Sequence, residues 1–198
     1  MTAGPTIVHL VRHGAHALLS HVLAGRMPDV ALSPEGVAQA EALSNRFAGR
    51  DVAAVVSSPI QRARETAAPL AARLGRPVEI DVGWEEIDMG RWTGSAMDVL
   101  HADPDWQAWN RMRGLATCPG GEAMHQVQSR ALLALQRLRA AHGEAEVVAV
   151  SHSDVIKAVL AGVLGWPLDH VHRLSIDPAS ISTVALFDDF VRVDGVNR

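Results

Sequence analysis

The sequence predicts an α/β fold in which helices pack on a mostly parallel central sheet. Strand-like and helix-like segments alternate along the chain, as they do in successive βαβ units. The 198 residues are 48% hydrophobic, which is enough for one substantial core and long for two, so we expect a single domain over residues 1–198. Charged motifs directly follow three of the predicted strands, at the edge where such sheets bind ligands.

Short apolar runs rich in β-branched residues predict the strands, because a parallel strand is buried on both faces. In order, they are Ile7 to Val11, Val52 to Val56, Val78 to Ile80, Val147 to Val150, and a final pair, Ile181 to Phe187 and Phe190 to Val193.

Apolar residues at helical spacing predict the helices. The first begins with Ser33 as N-cap and Pro34 at the first helical position, and a second ends near Gly75. Two more cover residues 122–141 and 154–164, the latter with Ser153 as N-cap. Residues 84–121 are rich in glycine, proline and tryptophan, and we expect an irregular cap there with one short helix.

Composition narrows the classes of partner. The net charge of -4 provides no general basic field, so we expect neither nucleic acid nor membrane as a partner. The single cysteine, Cys118, excludes an internal disulfide framework and fits a cytoplasmic location. The apolar run near the start is broken by His9, Arg12 and His13, so we expect no targeting segment there. The oligomeric state stays open, and a homodimer is compatible with the sequence.

The motifs at the strand ends are those that a phosphoryl-transfer pocket needs. Arg12 and Arg62 can hold a phosphate dianion with planar guanidinium groups. His13 can attack phosphorus if neighbouring arginines keep it neutral and a backbone acceptor fixes its second nitrogen. Gly14 would let the backbone approach the phosphate. His152 ends a strand and opens a helix, so we expect it to face the same phosphoryl group.

Two further groups complete this chemistry. Ser153, in the first turn of the helix after His152, is a candidate phosphate ligand. Glu85 or Glu86 could supply the proton that the departing oxygen requires, since burial beside tryptophans would raise the pKa of either carboxyl group. The combination predicts covalent catalysis through a phosphohistidine.

Five segments together resemble, in order, the signatures of the histidine phosphatase superfamily, over about residues 6 to 186. They are Leu10-Val11-Arg12-His13-Gly14, the run from Ser57 to Thr66, Glu86-Ile87-Asp88-Met89-Gly90-Arg91-Trp92-Thr93-Gly94, Pro119-Gly120-Gly121-Glu122, and Val150-Ser151-His152.

The resemblance implies a three-layer α/β/α sandwich of the phosphoglycerate mutase type. It implies that His13 is the phosphorylated nucleophile and His152 the second pocket histidine, and that Arg12 and Arg62 bind phosphate. Glu86, rather than Glu85, stands at the position of the family's proton donor. The chain departs from the family pattern at Ala15, His16 and Leu19, and at Ser153 and Asp154, which replace the family's usual pair of glycines after the second histidine.

The function predicted is metal-independent hydrolysis of a small phosphorylated metabolite, with no cofactor. Two alternatives stay open: a phosphomutase of the phosphoglycerate mutase type, and a catalytically silent phosphate-binding module. Family mutases typically have a longer insertion after the proton donor than this chain has, which favours the phosphatase. A structural metal at His170 and His172, or at His9 and His13, would need further ligands, so we expect no metal site.

Overall fold

A computed structural model describes residues 4–198, and a six-stranded sheet runs through its middle. The strands are β1 (Thr6–Arg12), β2 (Val52–Ser57), β3 (Val78–Ile80), β4 (Glu146–Ser151), β5 (Ile181–Leu186) and β6 (Val191–Gly195). Their order across the sheet is β3-β2-β4-β1-β5-β6. The first four strands of that order pair in parallel, whereas β5 pairs antiparallel with both of its neighbours, β1 and β6. The sheet is therefore mostly parallel, as the alternation predicts.

Helices cover both faces of this sheet. They are α1 (Pro34–Arg46), α2 (Gln61–Leu74), α3 (Met97–Ala102), α4 (Pro104–Arg111), α5 (Met124–His142) and α6 (Ser153–Leu164). Side chains alternate along β1, so Val11 packs with α1 and α2 on one face, while Val8 and Leu10 pack with α5 and α6 on the other. The result is the three-layer α/β/α sandwich.

Residues 84–121 are more regular than the sequence analysis expects. They hold two α-helices, α3 and α4, where one short helix is predicted. Asp103 ends the first helix and caps the second, because its Oδ1 accepts a hydrogen bond of 2.8 Å from the backbone N–H of Asp105. Pro104 occupies the first position of α4. This Asp-Pro signal was present in the sequence, and the single-helix prediction is wrong because it overlooked it.

The tryptophans of this segment form a buried cluster. The rings of Trp92, Trp106 and Trp109 lie with centroids 5.2 to 5.8 Å apart, in edge and stacked arrangements. All three are nearly inaccessible to solvent and join the core on the α5 and α6 face. Their aromatic surface thus anchors the 84–121 segment to the sandwich.

Within residues 4–198, no helix has the length and apolar character that crossing a bilayer requires.

Candidate active site

Neighbouring parallel strands bring the charged motifs together. In the sheet register, Arg12 pairs with Ser151 and Ser57 pairs with Val150, so β1, β2 and β4 end side by side. Residues that follow these strands must therefore meet at one edge. They line or adjoin a pocket of about 230 Å³, into which the chain projects Arg12, His13, Arg62, Glu86 and Ser153 among others.

The two ring nitrogens of His13 have different partners. Nδ1 lies 2.8 Å from the carbonyl oxygen of Gly14, which can only accept, so Nδ1 carries the proton. Nε2 accepts a hydrogen bond of 3.2 Å from Nε of Arg62 and is therefore unprotonated. Burial, and next the charge of Arg62, hold the pKa of His13 well below its usual range. The imidazole is neutral, and the electron pair on its unprotonated Nε2 accepts from Arg62 in this structure.

The guanidinium groups of Arg12 and Arg62 are fixed by backbone carbonyls. Nη1 of Arg12 donates to Ile176 at 2.6 Å, and Nη2 of Arg62 donates to Gly25 at 2.8 Å. Yet Nε of Arg12 and Nη1 of Arg62 are buried with no hydrogen-bond partner among residues 4–198. Buried donors of this kind are costly unless something pairs with them. Each arginine therefore has an N–H donor, unpaired within that range, that could bind an anion.

His152 lies beside His13 and belongs to the same network. The centroids of the two rings are 5.1 Å apart, and His152 is fully buried. Its Nδ1 lies 3.3 Å from Nη2 of Arg62, which can only donate, so the proton is on Nε2, which lies 2.8 Å from Oγ of Ser58. Burial, and then the charge of Arg62, place the pKa of His152 well below normal. The role of Ser58 in orienting His152 is one that the sequence analysis missed.

Glu86 is the carboxyl group that reaches this pocket. Its Oε2 lies 3.6 Å from Nδ1 of His152 and 3.9 Å from Nη2 of Arg62. Burial, and next the negative charge of Asp154, raise the pKa of Glu86 to about 7 despite the nearby arginines. Glu85 instead lies 3.4 Å from Arg26, and it does not line the pocket. Of the two candidates, Glu86 is the one whose side chain lines the pocket.

The backbone around Glu86 is held by arginines that the sequence analysis did not single out for this role. Nε of Arg26 and Nη2 of Arg130 donate to the carbonyl oxygen of Glu86 at 2.7 and 3.1 Å. Glu122 joins these two arginines, with ion-pair contacts of 2.9 and 3.0 Å. Glu122 belongs to the Pro-Gly-Gly-Glu motif, which could have pointed to a structural partner for the Glu86 segment.

Glycines let these two motifs approach each other. A Cβ at Gly90 would lie 2.2 Å from the carbonyl oxygen of Pro119, and one at Gly121 would lie 2.2 Å from that of Asp88. Gly90 also has a φ of +52°, which favours glycine. The close backbone contact between the two motifs fixes the position of the segment that contains Glu86.

Gly14 and Ser153 have contacts that differ from those expected. The N–H of Gly14 donates to Oγ1 of Thr66 at 2.9 Å, and a Cβ at this glycine would lie 2.7 Å from the carbonyl oxygen of Gly36. The contacts seen at Gly14 are thus with the fold, and its contact with phosphate stays a prediction. Ser153 lines the pocket but is the first residue of α6, and His152 is the N-cap, so the N-cap prediction for Ser153 is wrong.

The departures from the family pattern have distinct environments. Leu19 and His16 line the pocket, and Nδ1 of His16 is buried without a hydrogen-bond partner among the described residues. Burial, then Arg62 and Arg12, lower the pKa of His16 to about 4. Asp154 makes an ion pair of 2.9 Å with Arg113, which stacks on the ring of Trp109. This pair connects the start of α6 to the 84–121 segment.

The histidines considered for metal binding lie elsewhere or have other partners. His9 accepts or donates a hydrogen bond of 3.0 Å with Oγ1 of Thr183 and packs edge-on against Phe47. His170 and His172 lie in a 3₁₀ helix at Leu168–Arg173. Across residues 4–198, no three histidine, cysteine or acidic side chains are grouped as metal ligands would be.

Comparisons with known proteins indicate the same family as the sequence motifs. An uncharacterized protein of Mycobacterium tuberculosis is 40% identical over 187 residues, which are 93% of this chain and 91% of that protein. Glucosyl-3-phosphoglycerate phosphatase of Mycolicibacterium vanbaalenii is 35% identical over a region that covers 72% of this chain and 67% of the length of that phosphatase. The solved structure of a mycobacterial glucosyl-3-phosphoglycerate phosphatase superposes with a TM-score of 0.87 at 26% identity, covering 98% of this chain and 99% of that one.

The family model that matches is that of the histidine phosphatase superfamily, branch 1, over residues 8–198. This match includes each of the strand ends that form the pocket. With these relatives, it is consistent with a phosphoric monoester hydrolase. The chain belongs to the histidine phosphatase superfamily.

Proposed function

We propose that this protein is a metal-independent phosphomonoester hydrolase that acts on a small phosphorylated metabolite through a phosphohistidine at His13. One observation carries the proposal: Nε2 of His13 is unprotonated and lies beside the guanidinium of Arg62, in a pocket with buried donors that have no partner in the described part of the chain. Such an arrangement combines a nucleophile with fixed positive charge, which is what phosphoryl transfer needs. The phosphatase names among the relatives support the same chemistry.

In the first step, the electron pair on Nε2 of His13 attacks phosphorus, and the bond from phosphorus to the ester oxygen breaks. Arg12 and Arg62 donate to the phosphoryl oxygens and stabilise their charge, while neutral His152 stays hydrogen-bonded beside Arg62. Glu86, with its pKa of about 7, is substantially protonated at neutral pH and gives its proton to the departing oxygen. The products of this step are an alcohol, a phosphohistidine and the carboxylate of Glu86.

In the second step, the carboxylate of Glu86 takes a proton from a water molecule as that water attacks phosphorus. The bond between phosphorus and Nε2 breaks, which releases inorganic phosphate and restores neutral His13 and protonated Glu86. Positive charge for both steps comes from the two arginines, so the mechanism needs no metal ion.

The single buried cysteine, Cys118, supports the cytoplasmic location proposed from the sequence.

The test is turnover of p-nitrophenyl phosphate in the presence of EDTA. We expect sustained turnover by the wild-type protein and a loss of at least about a thousandfold in His13→Ala. His125→Ala changes an exposed histidine on α5 and should leave the rate unchanged. A strict metal requirement, or full activity in His13→Ala, would refute the proposal.

Two further measurements, with a bisphosphorylated donor and with inorganic phosphate, separate the two alternatives. A phosphomutase would form phosphohistidine from a bisphosphorylated donor without sustained release of phosphate. A silent binding module would bind inorganic phosphate and turn over nothing. Both results would contradict hydrolysis.

A further inference from the structure

The residues that line the catalytic pocket fall into two chemical groups. Arg12, His13 and Arg62 bring polar, nitrogen-bearing side chains. Residues 19–24 together with Met97 form an apolar wall, in which Ser20 has the one hydroxyl side chain and the apolar members are Leu19, Val22, Leu23, Ala24 and Met97. All of these apolar residues except Ala24 are only half-buried, so part of their surface stays open to a ligand. Covering such surface favours an apolar group.

Backbone hydrogen bonds hold this wall in place. The N–H of Leu23 donates to Ser95 at 2.9 Å, and Leu23 in turn accepts from the N–H of Gly94 at 2.8 Å. The N–H of Met97 donates to His21 at 2.9 Å. Two distant segments, around residues 19–24 and 94–97, are thereby joined next to the catalytic groups. The apolar surface is therefore preformed, which is typical of small-molecule sites.

The charges around the pocket disfavour a second negative group on the substrate. Arg12 and Arg62 are the only cationic side chains among the described residues that line it, and the proposed function commits both to phosphate. Arg26 is already paired with Glu85 and Glu122, as Arg113 is with Asp154. His16 is neutral at pH 7, since its pKa is about 4. A carboxylate on the leaving group would lose its water and gain no cationic partner among the described residues.

We infer that the substrate is a phosphate monoester of an uncharged, largely apolar alcohol of a few carbons, whose hydrocarbon part lies on the wall of Leu19, Val22, Leu23 and Met97. This inference rests on the proposed function, because it assigns the leaving group of that same reaction. It predicts that the pocket discriminates against esters that carry a carboxylate, such as phosphoglycerates.

The test compares esters with matched skeletons. Ethyl, propyl and butyl phosphate have leaving groups of similar basicity and differ by one methylene each. We expect kcat/KM to rise about fourfold per methylene, as the burial of about 0.8 kcal/mol predicts. Propyl phosphate, glycerol 3-phosphate and 3-phosphoglycerate share three carbons, and we expect 3-phosphoglycerate to be at least about a hundredfold poorer than propyl phosphate.

Two variants on α3 locate the effect. Met97→Lys adds a cation to the wall, and it should raise the ratio of kcat/KM for 3-phosphoglycerate to that for propyl phosphate at least about tenfold. Val99→Lys adds the same charge to an exposed position on the same helix that does not line the pocket, and it should leave the ratio unchanged. Should Met97→Lys fail to fold, Ser20→Lys places a cation at an exposed position of the pocket rim and should change the ratio in the same direction.

The outcomes separate the inference from the proposed function. No turnover of any ester, p-nitrophenyl phosphate included, would overturn the hydrolase and the inference with it. Turnover in which 3-phosphoglycerate equals or exceeds propyl phosphate would overturn the inference alone. An unchanged ratio in both Met97→Lys and Ser20→Lys would show that the leaving group does not lie on this wall.

Discussion

At the scale of single residues, the reactivity proposed for His13 depends on the partners of its two ring nitrogens. The carbonyl of Gly14 keeps the proton on Nδ1, and Arg62 donates to Nε2. The strand-end motif predicts that a histidine and two arginines meet. It does not indicate which ring nitrogen of His13 is unprotonated, since that depends on the orientation of a carbonyl group and on an arginine 49 positions away.

Glu86 leads to a prediction about pH. Because its raised pKa of about 7 keeps it protonated below neutral pH, kcat/KM for an alkyl phosphate should fall as pH rises through 7. Glu86→Gln has no proton to give, and it should lower kcat/KM for that ester by about 10² to 10⁴ and remove the alkaline decline. A pH–rate profile checks both expectations.

A second ester provides the control for this prediction. The leaving oxygen of p-nitrophenyl phosphate is weakly basic and needs little protonation, so Glu86→Gln should lower kcat/KM for that ester far less, since kcat/KM reports only the first step. Asp154→Asn removes a charge that raises the pKa of Glu86, and it should move the alkaline decline to lower pH. An alkaline decline that persists in Glu86→Gln would assign the proton donor to another group.

At the scale of elements, the loop after β1 and the start of α1 lie so close together that there is no room for a side chain between them. A Cβ at Gly36 would lie 2.0 Å from the carbonyl oxygen of Ala15, next to His16. The pattern Ser33-Pro34 correctly predicts where α1 begins, and Oγ of Ser33 accepts from Gly36 at 3.1 Å. The need for glycine at position 36 comes from the neighbouring loop, which the helix pattern does not reveal.

Gly36→Ala should therefore destabilise the protein, although alanine usually stabilises a helix relative to glycine. We expect the free energy of unfolding in urea to fall by about 1 to 3 kcal/mol, because the backbone of Ala15 must move. Gly114→Ala is the matched control, since a Cβ there has no neighbour closer than 3.5 Å. Equal or greater stability of Gly36→Ala would show that the loop adjusts without cost.

The elements also show what local patterns miss. The Asp154 to Arg113 ion pair joins α6 to a loop 41 residues away, and Ser58 reaches His152 across 94 positions. Neither contact has a periodic signature, because each depends on how the 84–121 segment and β2 pack on the sheet. By contrast, the strands are correctly predicted to within about one residue at most ends. The central strands β1, β2 and β4 are mostly buried, and such strands appear in the sequence as continuous apolar runs.

At the scale of the whole molecule, the buried neutral histidines connect the site to stability. His16 has a pKa of about 4 in the folded protein, against an ordinary value of 6.5. Between these values the unfolded chain binds more protons than the folded one, so stability falls as pH is lowered from 6.5 towards 4. His13 and His152, whose pKa values are also lowered, act in the same direction.

His16→Gln tests this linkage. Each such histidine contributes at most about 1.4 kcal/mol per pH unit to the slope of stability against pH, so the variant should show a shallower loss between pH 6.5 and 5. Urea unfolding at several pH values measures the slope, and His125→Gln, on an exposed histidine of α5, is the control. An unchanged slope in His16→Gln would indicate that His16 is protonated in the folded state.

The central claim is that phosphate passes through a covalent bond to His13. Mixing the protein with an alkyl phosphate, quenching in alkali within the first turnover and mapping the modified peptide by mass spectrometry tests it directly. The account predicts a phosphoryl group on His13 in the wild-type protein and in His125→Ala, and none on any residue in His13→Ala. A phosphoryl group found on His152, or turnover that continues in His13→Ala, would contradict it.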